Sequence, residues 1–349
     1  MEVIVIGAGA IGSYVAGELA SKGYKVRQYD VQKTIGKAQH CTGLVTSAIW
    51  DVLKREENLI LNKIERFRLV CGNEELEVRQ KDFVLDRVAL ERHLSDDAVS
   101  KGVKLHLGRK FLNCRNDGRG IVANFVGGSW TKGDNLIGAD GVFSSVASCL
   151  GIKKKVIHGV QARVKKRIED ENMAEVDFGF GQFGWCVPES RNIVRLGVIG
   201  DKETFNKFLK RHNGKIIGYT SGFIPVYNPE TRAGNERVFL VGDAAGHVKA
   251  TSYGGLVLGL EGAQELVRDF SNYEKNCARR IGKELWLSLK IREMLNKFKV
   301  EDYEKLLRLL KSKRCIRIIE NNKRDFPSKI LFKLLLSEPR FLRFGRFLL

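Results

Sequence analysis

The chain opens on an unbroken apolar run, Val3-Ile4-Val5-Ile6, the pattern of a strand buried on both faces. Gly7 to Gly12 follow. Ile11 to Ser21 then keeps small residues along one side of a helical period and stops at Lys22-Gly23. Tyr24 to Asp30 reads as a second strand, and Arg66 to Val78 as a hairpin turning at Gly72-Asn73. Leu90, Leu94 and Ala98 share one face of a helix expected over Val84 to Ser100. Lys104 to Leu107, Gly120 to Phe125 and Asn135 to Ile137 are further short strands.

From about Val156 to Ile217 the pattern changes to alternation relieved by glycine, as in Val176-Asp177-Phe178-Gly179-Phe180 and Ile193 to Val198, which predicts an antiparallel sheet. Near Val238 a buried strand returns, followed by glycines and a helix from about Leu256. Beyond Glu265 everything is helical and amphipathic. The expected architecture is α/β. A Rossmann-like dinucleotide-binding domain takes 1–65, 80–155 and 219–264. An inserted antiparallel-sheet substrate domain takes 66–79 and 156–218, and a C-terminal helical basic region takes 265–349.

Composition narrows the class. The 349 residues are 43% hydrophobic and 29% charged, which excludes a disordered chain. No uncharged apolar run reaches the ~18 residues of a membrane span. The start lacks a basic segment and carries Glu2, which argues against a signal peptide. Seven scattered cysteines without a C-x-x-C pair argue against a zinc ribbon, a dithiol motif or a disulfide scaffold, predict no metal, and suggest a reducing compartment. The net charge is +19, and residues 275–349, with 21 Lys and Arg against 8 Asp and Glu, carry +13 of it. Such a tail suits nucleic acid, anionic headgroups, an acidic partner, or simply a solvated helical face.

Gly7-Ala8-Gly9-Ala10-Ile11-Gly12 is G-x-G-x-x-G between a strand and a helix. Its glycines permit the tight turn, the approach of a pyrophosphate to the backbone, and close packing of helix on strand. Asp30 ends the second strand, where a carboxylate accepts from an adenosine ribose. A second match, Gly179 to Gly184 with Asp201 beyond it, is a decoy. It runs into Trp185-Cys186-Val187-Pro188, which opens no helix, and is read as strand or loop. Val238 to Gly246 is a buried strand ending in Asp243, placed to hold a polyol hydroxyl such as ribitol. Gly254, Gly255 and Leu256 then open a helix whose N–H groups can face negative charge on a reduced flavin. The alternative for this segment is a strand and helix that merely pack through glycine.

With these residues in place, the sequence resembles the flavin monooxygenase-like fold of para-hydroxybenzoate hydroxylase and, within it, the archaeal geranylgeranyl reductase family. Gly7, Gly9, Ala10, Ile11 and Gly12 with Asp30 match the FAD-binding start, and Arg87 is where such proteins place an arginine near the cofactor phosphates. Ile35-Gly36 through Cys41, Thr42, Gly43 and Leu44 resembles a loop that brings a cysteine near the flavin. Asp140 with Gly141 and Ser144 resembles the Asp-Gly motif, and Gly242 to Gly255 the ribitol and isoalloxazine motif. The family's Y-x-W-x-F-P motif and its following Gly-x-Gly reappear as Phe183 to Pro188 and Gly197, with Trp185 and Pro188 retained. Phe183, Val187, Ile199, Ala250 and Tyr253 depart from it, Tyr253 standing where glycine is usual.

The resemblance implies an FAD-dependent oxidoreductase that saturates isoprenoid C=C bonds by protonation and hydride transfer from reduced flavin N5, with NAD(P)H or ferredoxin as electron donor. Phe180, Phe183, Trp185 and Pro188 would contact the lipid. Cys41 is either the catalytic proton donor or redox partner, or a small buried hydrophobe. An aromatic hydroxylase on the same fold and a non-catalytic flavoprotein binding membrane or nucleic acid are the alternatives. No nucleic-acid module is present. The tail, ending Phe341-Leu342-Arg343-Phe344-Gly345-Arg346-Phe347, predicts either an interfacial helix on an anionic membrane, peripheral on the cytoplasmic face, or a helix packed on the substrate domain.

Overall fold

In the computed structural model, which describes residues 1–36 and 41–348, the Val3–Ile6 run forms the centre of a parallel sheet. The order is Val238–Leu240, Asn135–Gly138, Glu2–Ile6, Lys25–Tyr29, Lys104–His106, every pair parallel. The Ala10–Ser21 helix packs against Arg87–Ser100 and Leu256–Arg268. Its small face has a steric reason, since a Cβ on Gly17 would meet Ala98 Cα at 3.2 Å. Ile4, Ile6 and Leu136 share a core with Phe111, Ile121 and Phe125 of a three-stranded antiparallel sheet, Phe111–Asn116, Ile121–Phe125 and Trp130–Gly133. These elements lie in one compact unit, Met1–Gln39, Arg87–Val156 and Pro225–Trp286.

The second unit comprises His40–Asp86, Ile157–Ile224 and Leu287–Leu349. Its eight-stranded sheet has the order Lys215–Pro225, Val156–Lys165, Ile193–Ile199, Phe183–Ser190, Met173–Asp177, Ile60–Cys71, Glu74–Leu85, Leu44–Thr46. The Gly72-Asn73 turn is where the sequence puts it, but the hairpin strands run from Ile60 to Leu85. Bulges between Ile60 and Asn62 and between Ile64 and Arg66 break the alternation that would have announced that length. The helix expected from Val84 therefore starts at Arg87, because Phe83-Val84-Leu85 is still paired strand. Residues 40–65, 80–86 and 219–224, expected with the nucleotide domain, belong to this sheet unit.

The even positions of Val160–Val164 and Val194–Val198 pack beneath Phe205 and Phe208 of an amphipathic helix, Lys202–His212, which the alternation concealed. Asp201, the acid that made the decoy tempting, is the N-cap of that helix and accepts from Thr204 N at 2.8 Å. The decoy itself is loop entering strand, with Gln182 N donating to Ile199 O. On the opposite face, Ile64, Phe67 and Val187 share a core with Tyr303, Leu307, Phe341 and Phe344. The region 265–349 is thus divided, its first part in the nucleotide unit and its last 63 positions, 287–349, in the sheet unit. Phe341 and Phe344 are core residues of the sheet unit, as the packing alternative requires.

Candidate functional site

In the nucleotide unit, Gly7 turns the chain with φ of +105°. A Cβ there would lie 2.3 Å from Ala139 O, and one on Gly12 would lie 2.2 Å from Gly7 O. Gly9 differs, because its Cβ would meet no atom within 4 Å. It is the N-cap of the Ala10–Ser21 helix and makes no side-chain capping bond. The helix therefore presents first-turn N–H groups to open space, as a pyrophosphate needs. Asp30 ends the second strand as expected, its Oδ2 accepting from Ala8 N at 2.6 Å and its Oδ1 from Gln32 N at 2.7 Å. Those bonds fix the carboxylate against the glycine loop and leave lone pairs for a ribose.

Ile11 binds this loop to the second motif. A Cβ on Gly242 would approach Ile11 Cγ1 to 3.1 Å, and one on Gly259 would approach Ile11 Cδ1 to 3.2 Å. Asp243 is half-buried, and a Cβ on Gly255 would lie 3.0 Å from its Oδ1. Burial pushes the Asp243 carboxyl up, while the charges of Arg87 and Lys154 pull it down. Arg87 is also paired with Glu91 at 3.0 Å. Gly255 caps the Leu256–Arg268 helix without a side-chain bond, after Tyr253 at φ of +55°. A side chain in that left-handed region costs about 1 kcal/mol, which explains why glycine is usual there. An open phosphate cradle, a ribose carboxylate, and a half-buried carboxylate beside a second uncapped helix fit FAD.

Asp140 bonds to the chain that follows it. Its Oδ1 accepts from Ser144 Oγ at 2.5 Å and its Oδ2 from Ser145 N at 2.7 Å and Val146 N at 3.2 Å. It holds the start of the Ser145–Cys149 helix. An Asp140→Ala protein is expected to lose about 1–2 kcal/mol in urea unfolding and to bind FAD normally. Normal unfolding with lost FAD would place Asp140 in the ligand set. Sequence reasoning missed Lys154, whose Nζ donates to Asp243 O and Ala244 O at 3.1 Å each. Its only signal is a place in the run Lys153-Lys154-Lys155.

In the sheet unit, Cys41 is exposed, and its Sγ accepts from Gly43 N at 3.3 Å. The buried-hydrophobe reading does not hold. The preceding stretch of the expected cysteine loop, 37–40, lies outside the described residues. Thr42 is anchored twice, its carbonyl accepting from Arg195 Nη1 at 2.6 Å and its hydroxyl donating to Gln161 Oε1 at 2.7 Å. Trp185 Nε1 donates to that same Gln161 oxygen at 3.1 Å. The indole lies flat over Gly197, where a Cβ would sit 2.1 Å from Trp185 Cζ2. Phe183 is beside it, with ring centroids 5.9 Å apart and the Arg292 guanidinium 5.2 Å from its ring. Phe180 instead packs on Phe208 at 5.0 Å, in the core under the Lys202–His212 helix. Pro188 alternates to the face away from Trp185, so neither joins the indole. Gln161 and Arg195 were missed, although a buried arginine inside Ile193 to Val198 is a polar interruption of an apolar strand.

Comparison with known proteins agrees with this geometry. Residues 1–177 match the family described as FAD binding domain. The chain is 27% identical, over 89% of its length and 91% of the relative's, to a protein of Methanothrix thermoacetophila named digeranylgeranylglycerophospholipid reductase. Its fold is similar to that of a geranylgeranyl bacteriochlorophyll reductase-like protein of Thermoplasma acidophilum, with TM-score 0.86 and 18% identity over 100% of this chain and 99% of that one. It is also similar to Klebsiella pneumoniae HpxO complexed with FAD and uric acid, with TM-score 0.71 and 19% identity over 97% and 98% of the two chains.

Proposed function

Since the chain belongs to the FAD binding domain family, we propose that it is an FAD-dependent reductase saturating C=C bonds in geranylgeranyl-type chains of lipids. The observation that carries this reading is the linkage of a thiol to an indole face through one amide: Cys41 adjoins Thr42, which shares Gln161 Oε1 with Trp185. An isolated isoprenoid double bond has no carbonyl to accept electron density, so protonation must come first. When bound and reduced, FAD supplies the hydride equivalent, at the expense of two electrons from NAD(P)H or a ferredoxin.

The residues of this chain supply the rest. The Cys41 thiol gives its proton to the less substituted alkene carbon, and the Gly43 N–H steadies the sulfur as the proton leaves. The Trp185 face stabilises the tertiary cation, and Phe183 extends an apolar wall beside it. Gln161 fixes the indole and the cysteine segment relative to each other. One C=C becomes one C–C carrying two new hydrogens, and Cys41 is reprotonated from water.

Anaerobic mixing of dithionite-reduced protein with a geranylgeranyl lipid is expected to raise the product mass by two hydrogens per bond. Unchanged mass rejects the reading, and substrate-coupled oxygen consumption would favour the hydroxylase. A Cys41→Ala protein is expected to retain FAD and turn over about 100-fold more slowly or worse. A lipid substrate and the tail's +13 charge also support peripheral attachment to an anionic membrane surface on the cytoplasmic side. No helix among the described residues is long and apolar enough to cross a membrane.

A further inference from the structure

Some basic residues of the C-terminal segment are held by carboxylates and others are not; what distinguishes four of the latter is that they line one cleft. Arg308 and Lys311 pair with Glu74, Lys323 with Asp51, Arg324 with Asp82, and Arg346 with Asp302. These tie the helices to the sheet unit and to one another. Among the described residues, Lys313, Arg314, Arg317 and Lys333 face no carboxylate within ion-pairing distance. All four line one open cleft of about 590 Å³ between the Lys313–Glu320 and Pro327–Ser337 helices, together with Asn321 and Leu336. Four converging cations repel one another unless an anion sits among them.

The rim of the cleft is apolar. The helices bury Cys315 and, in part, Ile316, Ile319, Leu334 and Leu335 against the sheet-unit core. Phe332 and Leu336 point the other way, 67% and 68% exposed, and Leu342 of the following turn is 66% exposed. Lys329, Phe332, Lys333 and Leu336 recur at helical spacing along the exposed stripe of Pro327–Ser337. Nucleic acid would reward the cations and a base stacked on Phe332, but not the exposed aliphatic Leu336 and Leu342. A lipid surface rewards all of these, taking apolar side chains below the headgroups while arginine and lysine hold the phosphates.

We propose that the cleft between the Lys313–Glu320 and Pro327–Ser337 helices seats the phosphate of an anionic phospholipid headgroup, with Phe332 and Leu336 entering the acyl boundary beside it. The proposal deepens the peripheral-membrane reading by giving it an address, and it does not rest on the redox chemistry. Arg314 and Arg317, on one face of their helix, provide planar donors suited to phosphate oxygens. Lys333 closes the cleft from the neighbouring helix, its Nζ held 3.2 Å from Asn322 Oδ1.

The test is flotation of the FAD-bound full chain with vesicles of phosphatidylcholine alone and of an equimolar mixture with phosphatidylglycerol. Three double variants accompany it: Arg314→Gln with Arg317→Gln, Phe332→Ser with Leu336→Ser, and Lys202→Gln with Lys210→Gln as an equal charge change elsewhere. All six side chains are exposed, so urea unfolding is expected to stay at the unsubstituted value. The expected result is binding to the anionic vesicles only. The cleft variant should bind about 25-fold more weakly, at about fivefold per basic residue. The apolar variant should bind about tenfold more weakly or worse, and the control less than about twofold more weakly. Equal losses in the cleft and control variants would overturn the assignment. So would single-stranded RNA that displaces the vesicles from the unsubstituted chain and loses its hold in the cleft variant. Failure of the unsubstituted chain to bind either vesicle would overturn both this site and the membrane reading, and leave the reductase reading to its own mass assay.

Discussion

A Gly12→Ala protein is expected to purify without FAD and to unfold with about 3 kcal/mol less stability, or worse, than the unsubstituted chain. The added Cβ would lie 2.2 Å from Gly7 O, 3.0 Å from Gly7 C and 3.1 Å from the Ala139 side chain. Two of those atoms are backbone of the glycine loop, so no rotamer change makes room. Relief requires the Ala10–Ser21 helix to lift from the sheet, and that motion breaks the seam in which Ile11 fits against Gly242 and Gly259. Gly9→Ala separates the two consequences. Its Cβ points into open space, so unfolding should be unchanged while FAD binds at least about tenfold more weakly, because the methyl occupies the approach of the pyrophosphate. Bound flavin measured by absorbance, together with urea unfolding, reads both. A Gly12→Ala protein with full flavin and ordinary stability would remove the steric argument, and unaltered affinity in Gly9→Ala would move the phosphates elsewhere.

The contrast between these glycines shows what the sequence could express. The strand, glycine loop and helix are encoded within a dozen residues, and the roles of Gly7, Gly9 and Gly12 follow from local geometry alone. The decoy at Gly179 to Gly184 was resolved by the same local reasoning. Long-range geometry was hidden. Thr42 meets Gln161 across 119 positions and Arg195 across 153, and Lys154 reaches Asp243 across 89. No periodicity in either segment reports the other. The hairpin was underestimated because its bulges shift the register, and the Lys202–His212 helix because it interrupts strands of the same apolar content. The helix-holding bonds of Asp140 were hidden for another reason: a carboxylate that holds a helix start and one that binds a ligand are the same letter. Phe180 and Pro188 flank Trp185 in sequence, but Phe180 lies in the loop before the strand and packs on Phe208, and alternation along the strand sends Pro188 to the opposite face. The tail's amphipathic pattern fixed that one face was apolar, and only packing decided that Phe341 and Phe344 belong inside.

Arg195→Met should be the most damaging change on the sheet face, with a cost of about 3–5 kcal/mol at neutral pH. Its side chain is 8% exposed, its Nε donates to Glu189 Oε2 at 2.9 Å, and its Nη1 donates to Thr42 O at 2.6 Å. Methionine fills similar volume but leaves Glu189 with the half-exposed Arg163 alone, and leaves the Thr42 carbonyl without its charged donor. The pH dependence separates this from a simple packing loss. Burial works against charge on Glu189, but Arg163 and Arg195 more than offset it and hold the carboxyl below the usual glutamate range. A group so depressed contributes stability above its unfolded pKa, and that stability is lost as pH falls through the folded pKa. In the variant the carboxyl rises, so its loss begins at higher pH. The gap between variant and unsubstituted chain should therefore be widest near neutrality and narrow in acid, once Glu189 is protonated in both. Urea unfolding across that range measures it, and a gap constant with pH would refute the electrostatic account. The functional readout is independent of folding. With Thr42 released, alkylation at Cys41 should change rate while Cys149, exposed in the other unit, should not. Arg195→Lys, which keeps charge without the planar fork, should restore most of the pH dependence but less of the Cys41 rate, because one ammonium cannot hold Glu189 and Thr42 in the same geometry.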